Sequence, residues 1–176
     1  ILKRVVNTGH YKPLKVEHTI SPSMDIQVAS NFERLIFDVN SCSSEKTLKL
    51  MNDLNERGQF KIEKEELKII KDSFSSASLT EEETKSIISE TYKNYGILID
   101  PHTAVGIGVT KKISLEGNIV ALSTAHPSKF SDVAMEATGV KPELPENLKN
   151  ILVEKENYDK LPKDLEKVKN YILERA

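Results

Sequence analysis

Residues 119–130, Ile-Val-Ala-Leu-Ser-Thr-Ala-His-Pro-Ser-Lys-Phe, pass within a few positions from apolar, β-favouring side chains to groups that can do chemistry. The apolar run stops at two hydroxyls, Ser123 and Thr124, and then at His126 and Lys129. Pro127 breaks regular structure directly after the histidine. A buried strand that delivers polar groups to its carboxyl end is how open α/β sheets build a ligand crevice. A strand followed by a loop with ordinary hydroxyl caps accounts for the same residues, and the segment alone leaves both open.

Two further groups of side chains stand out. His102 follows Asp100-Pro101, in the first turn of an expected helix, where the macrodipole disfavours an imidazolium. A ring bonded to local backbone is the plain alternative to a functional histidine there. Ser30, Asn31, Glu33 and Arg34 sit beside Phe32 and Leu35, which implies partial burial for some of them. Buried Glu and Arg need partners, either each other or a ligand whose site they wall.

Other chemistries find no pattern. His10, His18, His102 and His126 have no metal-ligand spacing with one another, with the cysteine or with a carboxylate, so no zinc site is expected. There is no P-loop and no Gly-x-Ser-x-Gly elbow. Gly106-Ile107-Gly108 lies inside an expected helix and reads as close packing against a neighbouring backbone rather than as a phosphate loop. The single cysteine, Cys42, excludes an intrachain disulfide, suits a reducing cytosol and reads as a loop or helix-start residue.

The elements that would carry these residues are mostly helical. A helix tail over 1–7 ends near Gly9, 16–20 leans towards strand, and Ser21-Pro22-Ser23 is a turn or helix-entry signal. Val28, Phe32, Leu35, Ile36 and Val39 recur at helical spacing from Asp25 to about Asn40, with Asp25 as the cap. Helices follow from Ser44 to a left-handed stop at Gly58, and over 64–75, with 60–62 too short to decide. Thr80-Glu81-Glu82-Glu83 is a capping box that opens a stripe from Thr84 to Tyr95, read as core and stopped at Gly96. Asp100-Pro101 starts the next helix, because proline at the first helical position gives up only an orphan N–H. A turn at Gly117-Asn118 feeds a strand over 119–123. A helix over 131–138 stops at Gly139, a Pro142–Pro145 linker and a short helix near 146–152 follow, and a last helix runs from Pro162.

At 176 residues the chain has the length of one ordinary domain. With 38% hydrophobic and 30% charged residues it reads as soluble and globular. A net charge of −2 with interspersed signs argues against nucleic acid as partner, and the apolar runs are too short for a membrane span. No signal peptide is visible, so a cytoplasmic location is expected. The start at Ile1, within a helix-like pattern, suggests a piece of a longer polypeptide; a short processed protein is the alternative.

Three stretches, taken together and in order, carry a family resemblance. Ser21-Pro22-Ser23-Met24-Asp25-Ile26 with Ser30-Asn31-Phe32-Glu33-Arg34-Leu35 resembles a motif in the carboxyl-terminal half of bacterial and fungal threonine synthases. Asp100-Pro101-His102-Thr103-Ala104-Val105-Gly106 resembles a second motif of that branch, and Ser123-Thr124-Ala125-His126-Pro127-Ser128-Lys129-Phe130 a third. The resemblance spans essentially the whole chain. It implies an α/β, helix-rich carboxyl-terminal part of a tryptophan-synthase-β-like architecture (pyridoxal-phosphate fold type II), with few strands. It also implies conversion of O-phosphohomoserine and water to threonine and phosphate.

The family's Schiff-base lysine and phosphate-cradling loop belong to its amino-terminal half, and neither finds a match here. The chain alone is therefore expected to be inactive, and the missing half is its first implied partner. By resemblance, Thr124, with Ser123 as the lesser candidate, would face the pyridine nitrogen of pyridoxal 5'-phosphate, a cofactor that performs the carbanion chemistry itself. His126 and Lys129 would lie near the substrate phosphate or fix the loop. Asp25, Ser30, Asn31 and Arg34 match motif positions on the substrate side without an assignable role. Another fold type II lyase, or a non-catalytic helical interaction domain, remains the alternative. An isolated chain is expected to expose apolar surface and to self-associate through it.

Overall fold

Glycine stops and side-chain caps delimit most helices of the computed structural model, which describes residues 1–176 and divides into two units, Ile1–Glu143 and Leu144–Ala176. In the first unit, α1 (Leu2–Thr8) ends at Gly9, whose φ of 73° lets its N–H return to the Val5 carbonyl. A side chain at Gly9 would also press on the Ile62 carbonyl oxygen, 3.2 Å from the position of a Cβ. That close approach brings β1 (His10–Tyr11) alongside β2 (Phe60–Lys61) as an antiparallel pair, with Tyr11 opposite Phe60.

Tyr11 organises the first core. Its ring stacks on Phe60 at 4.7 Å and on Phe32 at 5.8 Å between centroids, while its hydroxyl accepts the Ala29 N–H at 2.8 Å. Around it pack Val5, Ile36, Ile62 and Ile70, from α1, α2 (Phe32–Val39), the β2 end and α4 (Lys64–Ser73). Between α2 and β2 runs α3 (Ser44–Arg57), capped by Ser43 and stopped by Gly58 at φ 69°.

A second core joins α5 (Glu81–Tyr95), α6 (Pro101–Thr110) and α7 (Ser131–Thr138). The capping box at Thr80 forms in full: its hydroxyl takes the Glu83 N–H, and the Glu83 carboxylate takes the Thr80 N–H. Ile87, Ile88, Ile99 and Ala104 are buried there, with Val133 and Ala137 of α7 packed against them. The polar end of the expected stripe leaves the core, since Tyr95 is 74% exposed.

The structure corrects several expectations. Residues 16–20 form no strand, and α2 begins at Phe32 rather than at Asp25. The Asp25 carboxylate turns back to accept both the N–H and the hydroxyl of Thr19, at 2.7 Å each, so it holds a loop instead of capping a helix. The turn or helix entry expected at Ser21-Pro22-Ser23 does form, as a single 3₁₀ turn, Pro22–Met24. Gly106 packs against nothing, and Gly108 approaches side chains, Leu79 and Ile87, rather than backbone. The expected strand over 119–123 does not form: the segment has no regular secondary structure and no ladder partner. A strand needs a neighbour for its N–H and C=O groups, and the only ladder in the chain is β1–β2.

The second unit carries α8 (Leu165–Leu173), whose start is set by the Asp164 side chain accepting the Lys167 N–H. Near 146–152 a 3₁₀ turn, Glu146–Leu148, replaces the expected helix. Within this unit the Tyr171 hydroxyl donates to Asp159, which pushes the phenol up from its ordinary pKa, and the Arg175 guanidinium lies 3.7 Å over the same ring. No helix of either unit is long and apolar enough to cross a membrane.

Candidate functional site

The start of α6 is built around one carboxylate. Asp100 is the N-cap, and its two oxygens accept the backbone N–H groups of His102 at 2.9 Å and Thr103 at 3.3 Å. It is also 1% exposed, so the rest of its hydrogen-bonding capacity must be met from within the protein. The Thr103 hydroxyl donates to Oδ2 through a short contact, the His102 Nδ1–H donates to Oδ1 at 2.8 Å, and the Ala125 N–H reaches Oδ2 at 3.4 Å. Burial alone would raise the pKa of this carboxyl. The donors from Thr103, His102 and Ala125 outweigh it and hold Asp100 below its ordinary value.

His102 is fixed from both sides. Its Nε2 accepts the N–H of Ser23 at 3.1 Å, so that nitrogen carries no proton and the ring is the neutral Nδ1–H tautomer. The expected local backbone bond is thus replaced by a side-chain bond to Asp100 and by backbone from a distant stretch. Phe130 closes the third side, edge-on at 4.7 Å between ring centroids.

Thr124 joins the same cluster. Its N–H donates to the Thr103 hydroxyl oxygen at 3.1 Å, and its own Oγ1 lies 3.3 Å from Thr103 Oγ1 and 3.5 Å from Asp100 Oδ2. The loop that follows is held by His126, whose Nδ1 accepts the Ser128 N–H at 3.2 Å and caps the 3₁₀ turn Pro127–Phe130. Ser123, Thr124 and His126, with Leu98, Ala125 and Pro127, line an open cleft of about 550 Å³.

The three sequence stretches therefore meet at one point, through Ser23, through Asp100, His102 and Thr103, and through Thr124 and Phe130. Not every expected residue takes part. Lys129 is exposed and outside the cleft lining. Asp25 is occupied with Thr19, Ser30 borders a different depression beside Tyr11 and Phe32, and Asn31 and Arg34 point to solvent. Glu33 and Arg34 are both exposed and form no pair, because α2 turns Phe32, Ile36 and Val39 inward instead. Sequence reasoning noticed Asp100 only as a cap and missed Thr103. The Asp-Pro-His-Thr spacing announces the cap, whereas the long-range partners Ser23 and Thr124 leave no mark in it. No three His, Cys, Asp or Glu side chains gather as a metal site.

Comparison with known proteins shows the family. The family model described as "Threonine synthase, C-terminal" matches residues 103–172. Threonine synthase of Pseudomonas aeruginosa is 34% identical over 98% of this chain, which covers 37% of that protein. The crystal structure of pyridoxal-phosphate-bound threonine synthase from Brucella melitensis superposes with a TM-score of 0.86 at 37% identity, over 97% of this chain and 37% of that one. Threonine synthase from yeast gives a TM-score of 0.79 at 31% identity, over 98% of this chain and 39% of that one. The chain spans little more than a third of the length of these relatives. By sequence and by fold it belongs to the threonine synthase family and corresponds to the carboxyl-terminal portion of its members.

Proposed function

We propose that this chain forms one wall of the active site of a longer threonine synthase, which converts O-phosphohomoserine and water to threonine and inorganic phosphate with pyridoxal 5'-phosphate. The observation that carries the reading is the Thr124 hydroxyl, anchored on Thr103 at the lining of the cleft. The donor set fits the cofactor: a hydroxyl with a fixed backbone suits the edge of a pyridine ring, and the cleft can admit a flat ring. Thr124 would face the ring nitrogen, with Ser123 as its neighbour. When bound, the cofactor supplies the electron sink for charge developing on the amino acid.

The residues of this chain have narrower tasks. Thr124 orients the ring nitrogen, and the His102–Phe130 contact fixes the loop that carries Thr124. His126 leaves Nε2 available while Nδ1 holds the turn, and with the exposed Lys129 it would meet the substrate phosphate. Asp25, Ser30, Asn31 and Arg34 lie away from the cleft, and we assign them the lesser part in substrate binding. The Schiff-base lysine and the phosphate loop come from an amino-terminal portion, so residues 1–176 alone are inactive. The chain belongs in the cytoplasm.

Phosphate release from O-phosphohomoserine by the full-length protein tests the proposal. Activity is expected, with a fall of at least tenfold for Thr124→Val. Cofactor binding without phosphate release, or faster turnover of serine or threonine than of O-phosphohomoserine, would overturn it.

A further inference from the structure

We infer that Asp100, acting through Thr103, turns the Thr124 hydroxyl into a pure hydrogen-bond acceptor towards the cleft, so that the group it faces must be a protonated nitrogen. The inference rests on the proposal that the cofactor ring lies against Thr124, and deepens it.

The available hydrogens fix the orientation of both hydroxyls. The Thr103 hydroxyl owns one, and its short contact with Asp100 Oδ2 commits that hydrogen to the carboxylate, which can only accept. A lone pair of Thr103 Oγ1 takes the Thr124 N–H at 3.1 Å. The polar atoms nearest Thr124 Oγ1 are then Thr103 Oγ1 at 3.3 Å and Asp100 Oδ2 at 3.5 Å. Both act as acceptors towards it. The Thr124 hydrogen therefore points inward and its lone pairs point into the cleft. A bare pyridine nitrogen, itself an acceptor, would meet lone pair with lone pair. A pyridinium N–H would donate, and the bond would be charge-assisted.

The charge balance agrees. The only imidazole on Asp100 is held neutral by the Ser23 N–H, and no lysine or arginine pairs with this carboxylate. Asp100 is thus the one charged member of the cluster, kept ionised by its donors in spite of burial. A threonine that looks neutral in sequence presents, through two hydroxyls, the influence of a carboxylate. Asp100 and Thr103 are positioning residues in this account, because neither reaches the cleft lining.

The test uses the full-length holoenzyme loaded with pyridoxal 5'-phosphate labelled with nitrogen-15 in the ring, whose resonance separates protonated from bare nitrogen. The native protein is expected to show the protonated position. Asp100→Asn, Thr103→Val and Thr124→Val are each expected to move it towards the bare position, and Thr103→Ser to leave it in place. Thr103→Val keeps Asp100 as the helix cap, so it carries the test if Asp100→Asn does not fold. A bare nitrogen in the native protein, or a protonated one in both Asp100→Asn and Thr103→Val, would overturn the inference. If Thr124→Val shifts the resonance and the other two do not, the relay fails while the ring position stands. If Thr124→Val shifts nothing, the placement of the ring against Thr124 fails first and the inference with it.

Discussion

The Nε2 atom of His102 accepts the backbone N–H of Ser23 at 3.1 Å, across 79 positions of sequence. This single bond joins the 3₁₀ turn after Ser21 to the start of α6, and the same ring carries Phe130 on its edge. Replacing His102 by Ala removes a donor to the buried Asp100 carboxylate and opens a void beside Phe130. A hydrogen bond to a charged group contributes about 1.5–3 kcal/mol, and the void adds to that. His102→Ala is expected to lower stability by roughly 2–4 kcal/mol, read as a lower urea midpoint at unchanged slope. A loss within about 0.5 kcal/mol, ordinary for surface positions, would mean that the ring does not join these stretches.

Asp100 gives a pH dependence of definite sign. Its carboxyl is held below the ordinary value in the folded chain, against about 3.9 when unfolded. The stabilisation it contributes is therefore fully present above the unfolded value and is lost as pH falls through the folded one. Native stability minus that of Asp100→Asn, plotted against pH, is expected to be flat near neutrality and to shrink only on the acid side of 4. A difference that grows as pH falls would reverse the assignment.

These two residues also show what could be read from the chain. Asp100-Pro101 and Thr80-Glu81-Glu82-Glu83 act over three or four positions, and local signals of that kind appear where the sequence puts them. Asp25 carries the same cap signal, yet its carboxylate finds Thr19 behind it before any helix begins. Apolar spacing misled at Val28, which is 62% exposed although it fits the period of Phe32 and Ile36. The cleft side chains at 123–126 were legible as chemistry at the end of an apolar run. Their support was not, because Thr103 meets Thr124 only after the chain has passed through all of α6 and the loop that follows.

The glycines of α6 should part company on substitution. A Cβ at Gly106 meets nothing within 4 Å, so Gly106→Ala recovers the helix preference of alanine, up to about 1 kcal/mol of added stability. A Cβ at Gly108 would stand 2.3 Å from Leu79 Cδ1 and 3.1 Å from Ile87 Cγ1, both in the second core. Overpacking there costs about 1–3 kcal/mol and more than offsets the helix gain. Thermal unfolding of the two variants should move in opposite directions, with Leu79→Ala relieving part of the loss in Gly108→Ala. Equal stabilisation by both alanines would show that Leu79 yields freely.

Residues 119–122 present the remaining question of partnership. Val120 is 82% and Leu122 77% exposed, and Ile119 and Ala121 between and before them are exposed as well. An apolar run open on both faces is the pattern of a strand meant to be covered on both sides within a parallel sheet. Nothing in residues 1–176 pairs with it. If the amino-terminal portion supplies the neighbouring strands, a charge at this run should be harmless here and damaging there. Val120→Glu is expected to change the unfolding midpoint of this chain by no more than a surface substitution does, about 0.5 kcal/mol. In the full-length protein the same change should abolish soluble, cofactor-binding enzyme, because it would bury an unpaired carboxylate between covered faces. Size-exclusion chromatography and cofactor absorbance on the two lengths of protein separate these effects. Full-length Val120→Glu that stays soluble and fully loaded would show that this run is not a strand of the completed sheet. A loss confined to the shorter chain would place its partner within residues 1–176 instead.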